Sequence, residues 1–235
     1  DGGRHSPGAG FAYARLSRLL LEWNDGEAAL RHVEQGLALN QRRGQKDVLF
    51  FCLVTLAEVQ ISNKEVDGAL ATFKKAMPAP GSGASWHAAL IEQFEAEALF
   101  SRGDVAAAER WLQKIGWKIG DAIPEGQANA FEFVSRILVA KHEYAAALKL
   151  LDHLLVQEQA KGVKAFTLFI LITQALAWQG LGDMEQALLI LDRALLQAEA
   201  EEYIRTFTDR GAPIRGLLQK AAERGLHVAY VNRLL

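Results

Sequence analysis

The segment Leu181-Gly-Asp-Met-Glu-Gln-Ala-Leu188 decides the fold, because four other stretches of the chain repeat its pattern. Each stretch has a turn with an acidic residue, followed by a helix-forming run in which an alanine occupies one fixed place. These anchor alanines are Ala29, Ala69, Ala108, Ala147 and Ala187, at successive spacings of 40, 39, 39 and 40 residues. A helical pattern that recurs at such a period predicts a stack of helix pairs.

Two further sets of residues keep the same register. Twelve residues before each anchor stands a small side chain, at Ser17, Ala57, Ala96, Ser135 and Ala175. Four residues after each anchor stands a larger one, at Val33, Phe73, Leu112, Leu151 and Leu191. This small-small-large scheme is typical of the tetratricopeptide repeat (TPR), whose usual period is about 34 residues. We therefore predict an all-α, TPR-like right-handed superhelical solenoid of about five helix pairs with a C-terminal capping segment.

The repeats suggest three parts for the chain. Residues 1–10 are expected to be a flexible lead-in, residues 11–200 the repeats, and residues 201–235 capping helices at the end of the repeat domain. Prolines and glycines at residues 77–85 should interrupt the helices between repeats two and three. The open end of the last repeat needs an apolar cover. The capping segment supplies one, with Tyr203, Ile204, Phe207, Leu217, Leu218, Tyr230 and Val231.

Composition limits the function. Of 235 residues, 50% are hydrophobic and 23% charged, with a formal net charge of −2, so the chain has no basic field that would attract nucleic acid. The single cysteine, Cys52, lies in an apolar run and is expected to be a buried, inert thiol, which fits a reducing compartment. The longest apolar stretch, residues 166–177, is too short to span a membrane. We expect a cytoplasmic protein without direct nucleic-acid contact.

Sequence motifs of catalysis are missing. The chain has no G-x-x-x-x-G-K-[ST] phosphate loop, no G-x-S-x-G, no H-E-x-x-H and no C-x-x-C, and its six histidines show no zinc-ligand spacing. We therefore predict no enzyme activity, no cofactor and no metal site.

A ligand would be expected on the inner face of the stack, which the first helix of each repeat should line. In the predicted register this face carries Phe11 and Arg18 in repeat one and Phe51 in repeat two. Its polar middle forms the candidate ligand groove, with Glu58, Gln93, Glu97, Phe100, Asn129, Glu132 and Arg136. Such side chains can hydrogen-bond a polar ligand and offer an aromatic plane. An ordinary solvated inner surface is the alternative interpretation.

Three further features remain open from sequence. Glu92 and Glu95 occupy positions that are apolar in repeats one and two, so either the register slips in repeat three or the site there is special. The irregular residues 116–126 could be a connector or could fold over a groove. Trp86 and Trp117, both near loops, are candidates for surface platforms.

The ends of the repeat region carry a family resemblance. Residues 202–213 and 225–235, and the turn Glu22-Trp23-Asn24-Asp25, resemble the corresponding parts of the repeat domain in MalT-like, LuxR-type transcriptional regulators. Arg210 departs from the pattern, because such proteins commonly have an acidic residue there. The resemblance implies a central sensor domain between a nucleotide-switch ATPase and a DNA-binding helix-turn-helix.

What the resemblance implies is an effector-sensing and protein-interaction module. A small-molecule inducer or a partner protein would bind it and change its contacts with the ATPase and DNA-binding domains of the same regulator, controlling activation and self-assembly. A constitutive TPR-type scaffold for peptides or proteins is the alternative.

Overall fold

A computed structural model describes residues 8–41, 45–78, 85–161 and 164–235. Residue contacts divide the chain into two compact units, unit 1 of residues 1–111 and unit 2 of residues 112–235. Most of the predicted lead-in and the middle of the predicted break, residues 79–84, lie outside the described residues.

The described secondary structure consists of α-helices. Unit 1 contains α1 (Ala9–Glu22), α2 (Gly26–Gln41), α3 (Lys46–Ser62), α4 (Val66–Ala76), α5 (Ser85–Ser101) and most of α6 (Val105–Ile115). Unit 2 contains the end of α6, then α7 (Ala128–Ala140), α8 (Tyr144–Ala160), α9 (Lys164–Gly180), α10 (Met184–Glu199), α11 (Arg205–Thr208), α12 (Ala212–Glu223) and α13 (Val228–Leu234).

The turn inside each helix pair repeats its conformation as well as its sequence. One residue of each turn has a positive φ, namely Asn24 (63°), Lys64 (66°), Gly103 (95°), His142 (62°) and Gly182 (84°). An acidic residue follows each of them. Three of these are aspartates that accept a hydrogen bond from the backbone N–H three residues later, Asp25 from Ala28 (3.0 Å), Asp104 from Ala107 (2.9 Å) and Asp183 from Gln186 (3.0 Å). Such a bond caps the second helix of the pair and fixes where it begins.

The anchor residues of the repeats are buried as predicted. All five anchor alanines have an exposure of 0%, and the small residues twelve positions earlier are exposed by 5% or less. The hydroxyl of Ser17 on α1 donates a 2.7 Å hydrogen bond to the carbonyl oxygen of Ala29 on α2, which joins the two helices of repeat one at the anchor. The TPR-like helix pairing is therefore confirmed, and the right-handed superhelical path stays a prediction.

Unit 1 is packed closely around α3, which contacts both α1 and α2. Gly10 of α1 faces Val48 of α3, and a Cβ added at Gly10 would lie 2.4 Å from Val48 Cγ1. A Cβ at Gly36 would lie 3.1 Å from the sulfur of Cys52. These two glycines let α1 and α2 approach α3. A second core joins α3, α4 and α5 through Phe50, Phe73 and Ile91, among others.

Unit 2 ends in a cap that shares the core of the last helix pair. Phe207, Leu217, Leu218, Tyr230 and Val231 are buried in one cluster with side chains of α9 and α10, and Tyr203 and Ile204 pack against it. α12 contacts both α9 and α10. The cap therefore covers apolar surface that the last helix pair would otherwise expose to water.

A row of ion pairs, called the ionic seam below, joins the outside of this cap to α10 and to the residues that follow α10. Arg224 lies 2.7 Å from Glu185, and Arg233 lies 3.3 Å from Glu202. His227 lies between two carboxylates of α10, 2.6 Å from Glu199 and 3.4 Å from Asp192. These pairs are partly exposed, so they orient the cap more than they stabilise it.

No helix in the described part of the chain combines the length and the apolar character needed to cross a membrane.

Candidate functional site

The candidate ligand groove is divided between the two units. Unit 1 holds Glu58 on α3 and Gln93, Glu97 and Phe100 on α5, and unit 2 holds Asn129, Glu132 and Arg136 on α7. The two halves of the groove are therefore two separate sets of side chains, each with its own surroundings.

An ion pair joins neighbouring repeats in the unit 1 half of the candidate groove. Arg18 Nε of α1 lies 3.0 Å from Glu58 Oε2 of α3, with side-chain exposures of 60% and 22%. Burial raises the pKa of Glu58, and the Arg18 guanidinium partly opposes this by lowering the pKa. The two residues are forty positions apart, one repeat, so the predicted inner-face register brings equivalent positions together here.

Two aromatic rings extend this surface toward the start of the same helices. The rings of Phe11 and Phe51 lie 5.1 Å apart between centroids, again at equivalent positions one repeat apart. Phe51 is 37% exposed, so its ring is available to a ligand. Unit 1 thus presents a charged pair and an aromatic pair on the same two helices.

On α5 the predicted groove residues are buried or half-buried. Gln93 is 5% exposed, and its amide donates a 2.8 Å hydrogen bond to the carboxylate of Glu97, one turn further along the helix. Glu97 and Phe100 are half-buried. The two predicted groove residues therefore form one hydrogen-bonded pair on α5.

Glu132 is a buried acidic residue of unit 2. Its side chain is 7% exposed and its Oε1 accepts a 2.8 Å hydrogen bond from the hydroxyl of Thr173 on α9. The same oxygen lies 3.2 Å from Arg210 Nη2, which comes from the segment between α11 and α12. Arg136, one turn along α7, has its Nη1 3.9 Å from Glu132 Oε2. A buried carboxylate is stable as an ion only with such partners.

Aromatic rings accompany both arginines of this site. The Arg210 guanidinium lies 5.8 Å from the centroid of the Phe169 ring, and that of Arg136 lies 5.3 Å from the Phe133 ring. Both distances are within the range of a cation-π contact. Asn129, the third predicted groove residue of unit 2, is exposed.

Sequence reasoning did not include Thr173 and Arg210 in the site. Thr173 lies in the apolar run of residues 166–177, where its hydroxyl gives no periodic signal. Arg210 did stand out as a departure from the family pattern, but its partner is 78 positions away. Only the charge reversal at Arg210 could have pointed to a carboxylate elsewhere.

The structure also addresses Glu92 and Glu95. Ala96 is 5% exposed and thus buried, like the small residues at the same position of the other repeats, so the register does not slip in repeat three. Both glutamates are half-buried. Burial raises the pKa of Glu95, Lys74 lowers it and Glu92 raises it. The two carboxylates therefore repel each other, and Lys74 of α4 lies close enough to oppose this effect.

The two candidate tryptophan platforms have different surroundings. Trp117 is half-buried and packs edge-on against the Phe131 ring, 5.3 Å away, so it attaches the loop before α7 to that helix. Trp86 is 54% exposed and contacts Phe50 and His87. Of the two, Trp86 is the side chain with an open face.

Cys52 is completely buried and its thiol donates a long hydrogen bond, 3.6 Å, to the carbonyl oxygen of Gly10. Burial raises its pKa to about 11, so the thiolate is not available at neutral pH.

Across the described ranges, no group of three or more His, Cys, Asp or Glu side chains is arranged to hold a metal ion.

Comparison with known proteins finds distant structural neighbours. No curated protein matches the chain at a significant level. Among solved structures, a Podosopora anserina protein described as a kinesin light chain with nearly identical TPR-like repeats is 17% identical, covers 81% of this chain and 95% of its own, and has a TM-score of 0.44. The MamA protein is 16% identical, with coverages of 83% and 94% and a TM-score of 0.40.

A family model does cover nearly the whole sequence. The model described as the MalT-like TPR region matches residues 1–224, which include both units and most of the cap. The match agrees with the repeated turns, the buried anchors and the helix pairs. The chain therefore belongs to the MalT-like TPR region family.

Proposed function

We propose that this chain is the effector-sensing and partner-binding module of a LuxR-type transcriptional regulator. In this proposal it works with an ATPase domain and a DNA-binding domain of the same regulator, in the cytoplasm, and it binds rather than catalyses. Membership of the MalT-like TPR region family supports the proposal. The resemblance of the first turn and the tail to those regulators supports the regulatory role.

One observation carries the assignment of an effector site, the Arg18–Glu58 ion pair between neighbouring repeats. Arg18 is mostly exposed, so its guanidinium can bind an incoming polar group without unfolding the helix. Glu58, with its raised pKa, takes up a proton more readily than an exposed glutamate and can then donate a hydrogen bond as well as accept one. The Phe51 ring supplies an apolar plane on the same helix, about two turns before Glu58.

The mechanism follows from the position of the pair between two repeats. A ligand that contacts both α1 and α3 favours the arrangement in which those helices are correctly spaced for it. It can shift the population of the module only by its difference in affinity for the two arrangements. Contacts with the other domains of the regulator would change with that population.

A thermal-shift screen of the chain against sugars, nucleotides and common metabolites tests the proposal. A ligand at 100 times its dissociation constant adds about 2.7 kcal/mol to the folded state. For a chain of this size that is roughly 5–10 °C in midpoint. We expect the shift from a true effector to be lost in Arg18→Gln and Glu58→Gln.

The matched control is Arg31→Gln. Arg31 and Glu27 form an exposed ion pair of 3.7 Å within α2, outside the candidate groove, so this variant should keep the full shift. If no compound shifts the midpoint, or if all three variants lose the shift equally, effector binding at this pair is refuted. The constitutive TPR-type scaffold then becomes the better assignment.

A further inference from the structure

The tail of the chain supplies the arginine that occupies the buried site of unit 2. Arg210 is one of the two guanidiniums beside Glu132, and its side chain is 10% exposed. The site around it combines the Glu132 carboxylate, the Phe169 ring and the Thr173 hydroxyl, which donates to the same carboxylate oxygen. A carboxylate with an aromatic ring is a recurrent recognition set for a guanidinium group.

Without Arg210 the carboxylate of Glu132 keeps Arg136 beside Oε2 but loses its charged donor at Oε1. Thr173 can donate only one hydrogen bond to Oε1, and Arg136 remains 3.9 Å from Oε2. Neither replaces the charged donor that Arg210 brings to Oε1 at 3.2 Å. Since an ionised carboxylate that loses a partner in a buried place is strongly disfavoured, the vacated position favours another cation of the same shape.

Arg210 lies in an exposed turn between two buried residues. Arg210 lies in the short turn between α11 and α12, where Asp209 and Gly211 are exposed. Phe207 and Ile214 are buried on either side of the turn, with exposures of 0% and 1%. Displacement of Arg210 would therefore change an exposed turn, while Phe207 and Ile214 would stay in the core.

We propose that the Glu132 site is a guanidinium-binding site, that Arg210 fills it within the chain, and that an arginine side chain of a partner protein competes for it. The inference rests on the proposed function, because it treats the unit 2 half of the groove as a binding surface and names the group it takes. Competition would release the turn of residues 209–211 from α7 and α9. Occupancy of the groove would thereby reach the C-terminal cap.

Chemical rescue of an arginine-deleted variant tests the site. Arg210→Ala removes the internal guanidinium, and N-ethylguanidinium is the probe. We expect a saturable rise in the midpoint of thermal unfolding of this variant, about 3–6 °C at ten times the dissociation constant. The wild type and the double variant Glu132→Gln with Arg210→Ala should not respond. Ethylammonium, which lacks the planar fork, should be a weaker ligand.

A second arm identifies the source of the guanidinium. Capped pentapeptides with one central arginine or one central citrulline are titrated against Arg210→Ala and the wild type. We expect the arginine peptide to bind the variant at least tenfold more tightly than it binds the wild type, with no such gain for the citrulline peptide. Tighter binding of the arginine peptide than of N-ethylguanidinium assigns the ligand to a partner protein, and equal binding assigns it to a small guanidinium compound.

Two results would overturn the inference. One is equal stabilisation of Arg210→Ala and the double variant by the probe, and the other is no stabilisation of Arg210→Ala at all. If Arg210→Ala does not unfold cooperatively, Arg210→Gln replaces it in both arms. The effector screen uses Arg18 and Glu58 of unit 1, so failure here leaves that test intact and the two proposals fail separately.

Discussion

At the scale of single residues, burial affects the pKa of a groove carboxylate more strongly than its ion-pair partner does. Glu58 shows this, because burial raises its pKa in spite of an arginine 3.0 Å away. The ionised carboxylate therefore loses more in leaving water than it gains from Arg18, whose side chain is mostly solvated. This balance determines how stability depends on pH.

Glu58→Gln should make stability less dependent on pH. A carboxyl whose native pKa is raised stabilises the fold fully below its unfolded pKa, about 4.5, and loses that contribution as pH rises through the native pKa. The amide does not titrate, so the variant should match the wild type at pH 4.5 and equal or exceed it at pH 7.5, by less than about 1 kcal/mol. Urea unfolding at the two pH values measures this.

The control is Arg18→Gln, which leaves the Glu58 charge without its cation. Relative to the wild type, this variant should lose more stability at pH 7.5 than at pH 4.5. Glu58→Gln, in contrast, should lose none at pH 7.5. If Glu58→Gln instead loses stability at pH 7.5, the ion pair outweighs the burial of the carboxylate.

Lys64→Gly should stabilise unit 1. Lys64 has φ 66°, a left-handed conformation that costs a side-chain-bearing residue roughly 1–2 kcal/mol. Glycine avoids that cost but loses up to about 1 kcal/mol through the freedom of the unfolded chain, so a net gain of about 0–1 kcal/mol is expected in thermal unfolding. Gly103→Ala, at φ 95° in the equivalent turn, should lose about 1–3 kcal/mol. Equal signs for the two changes would contradict this account.

At the scale of elements, the helices and their pairing were predictable because one sequence pattern occurs five times along the chain. Anchors such as Ala29 and Ala187 recur in sequence, and the structure buries each of them completely. The Glu132 site was only half predictable. Glu132 and Arg136 follow from the register on one helix, whereas Arg210 reaches them from a non-repetitive tail whose path depends on how the cap folds.

Gly10→Ala should destabilise the contact between α1 and α3. The new methyl group would lie 2.4 Å from Val48 Cγ1, and Val48 is 4% exposed, so one of the helices has to move. Overpacking of this kind costs about 1–3 kcal/mol, which urea unfolding would detect. Gly26→Ala is the control, because its methyl group meets Asn63 only at 3.5 Å. That change should stabilise α2 by about 0.4–1 kcal/mol. If Gly10→Ala loses no stability, α1 is not held tightly against α3.

At the scale of the whole molecule, the cap and the last helix pair share one apolar core. Phe207 has an exposure of 0% and lies in the same core as Leu191 and Leu195 of α10. The ionic seam on the outside of the cap is partly exposed and contributes little by comparison. Apolar burial should therefore dominate the stability of unit 2.

Phe207→Ala should destabilise unit 2 by about 3–5 kcal/mol, the usual cost of deleting a buried phenylalanine ring. Leu196→Ala, on α10 but 67% exposed, should change stability by less than about 0.5 kcal/mol. Hydrogen exchange distinguishes the units: amides of α9, α10, α12 and α13 should exchange faster in Phe207→Ala, and amides of α1 to α4 should keep their wild-type rates. If every helix loses protection together, the two units unfold as one cooperative body and the cap stabilises the entire repeat region. If none does, the Phe207 core is not needed to keep the last helix pair folded.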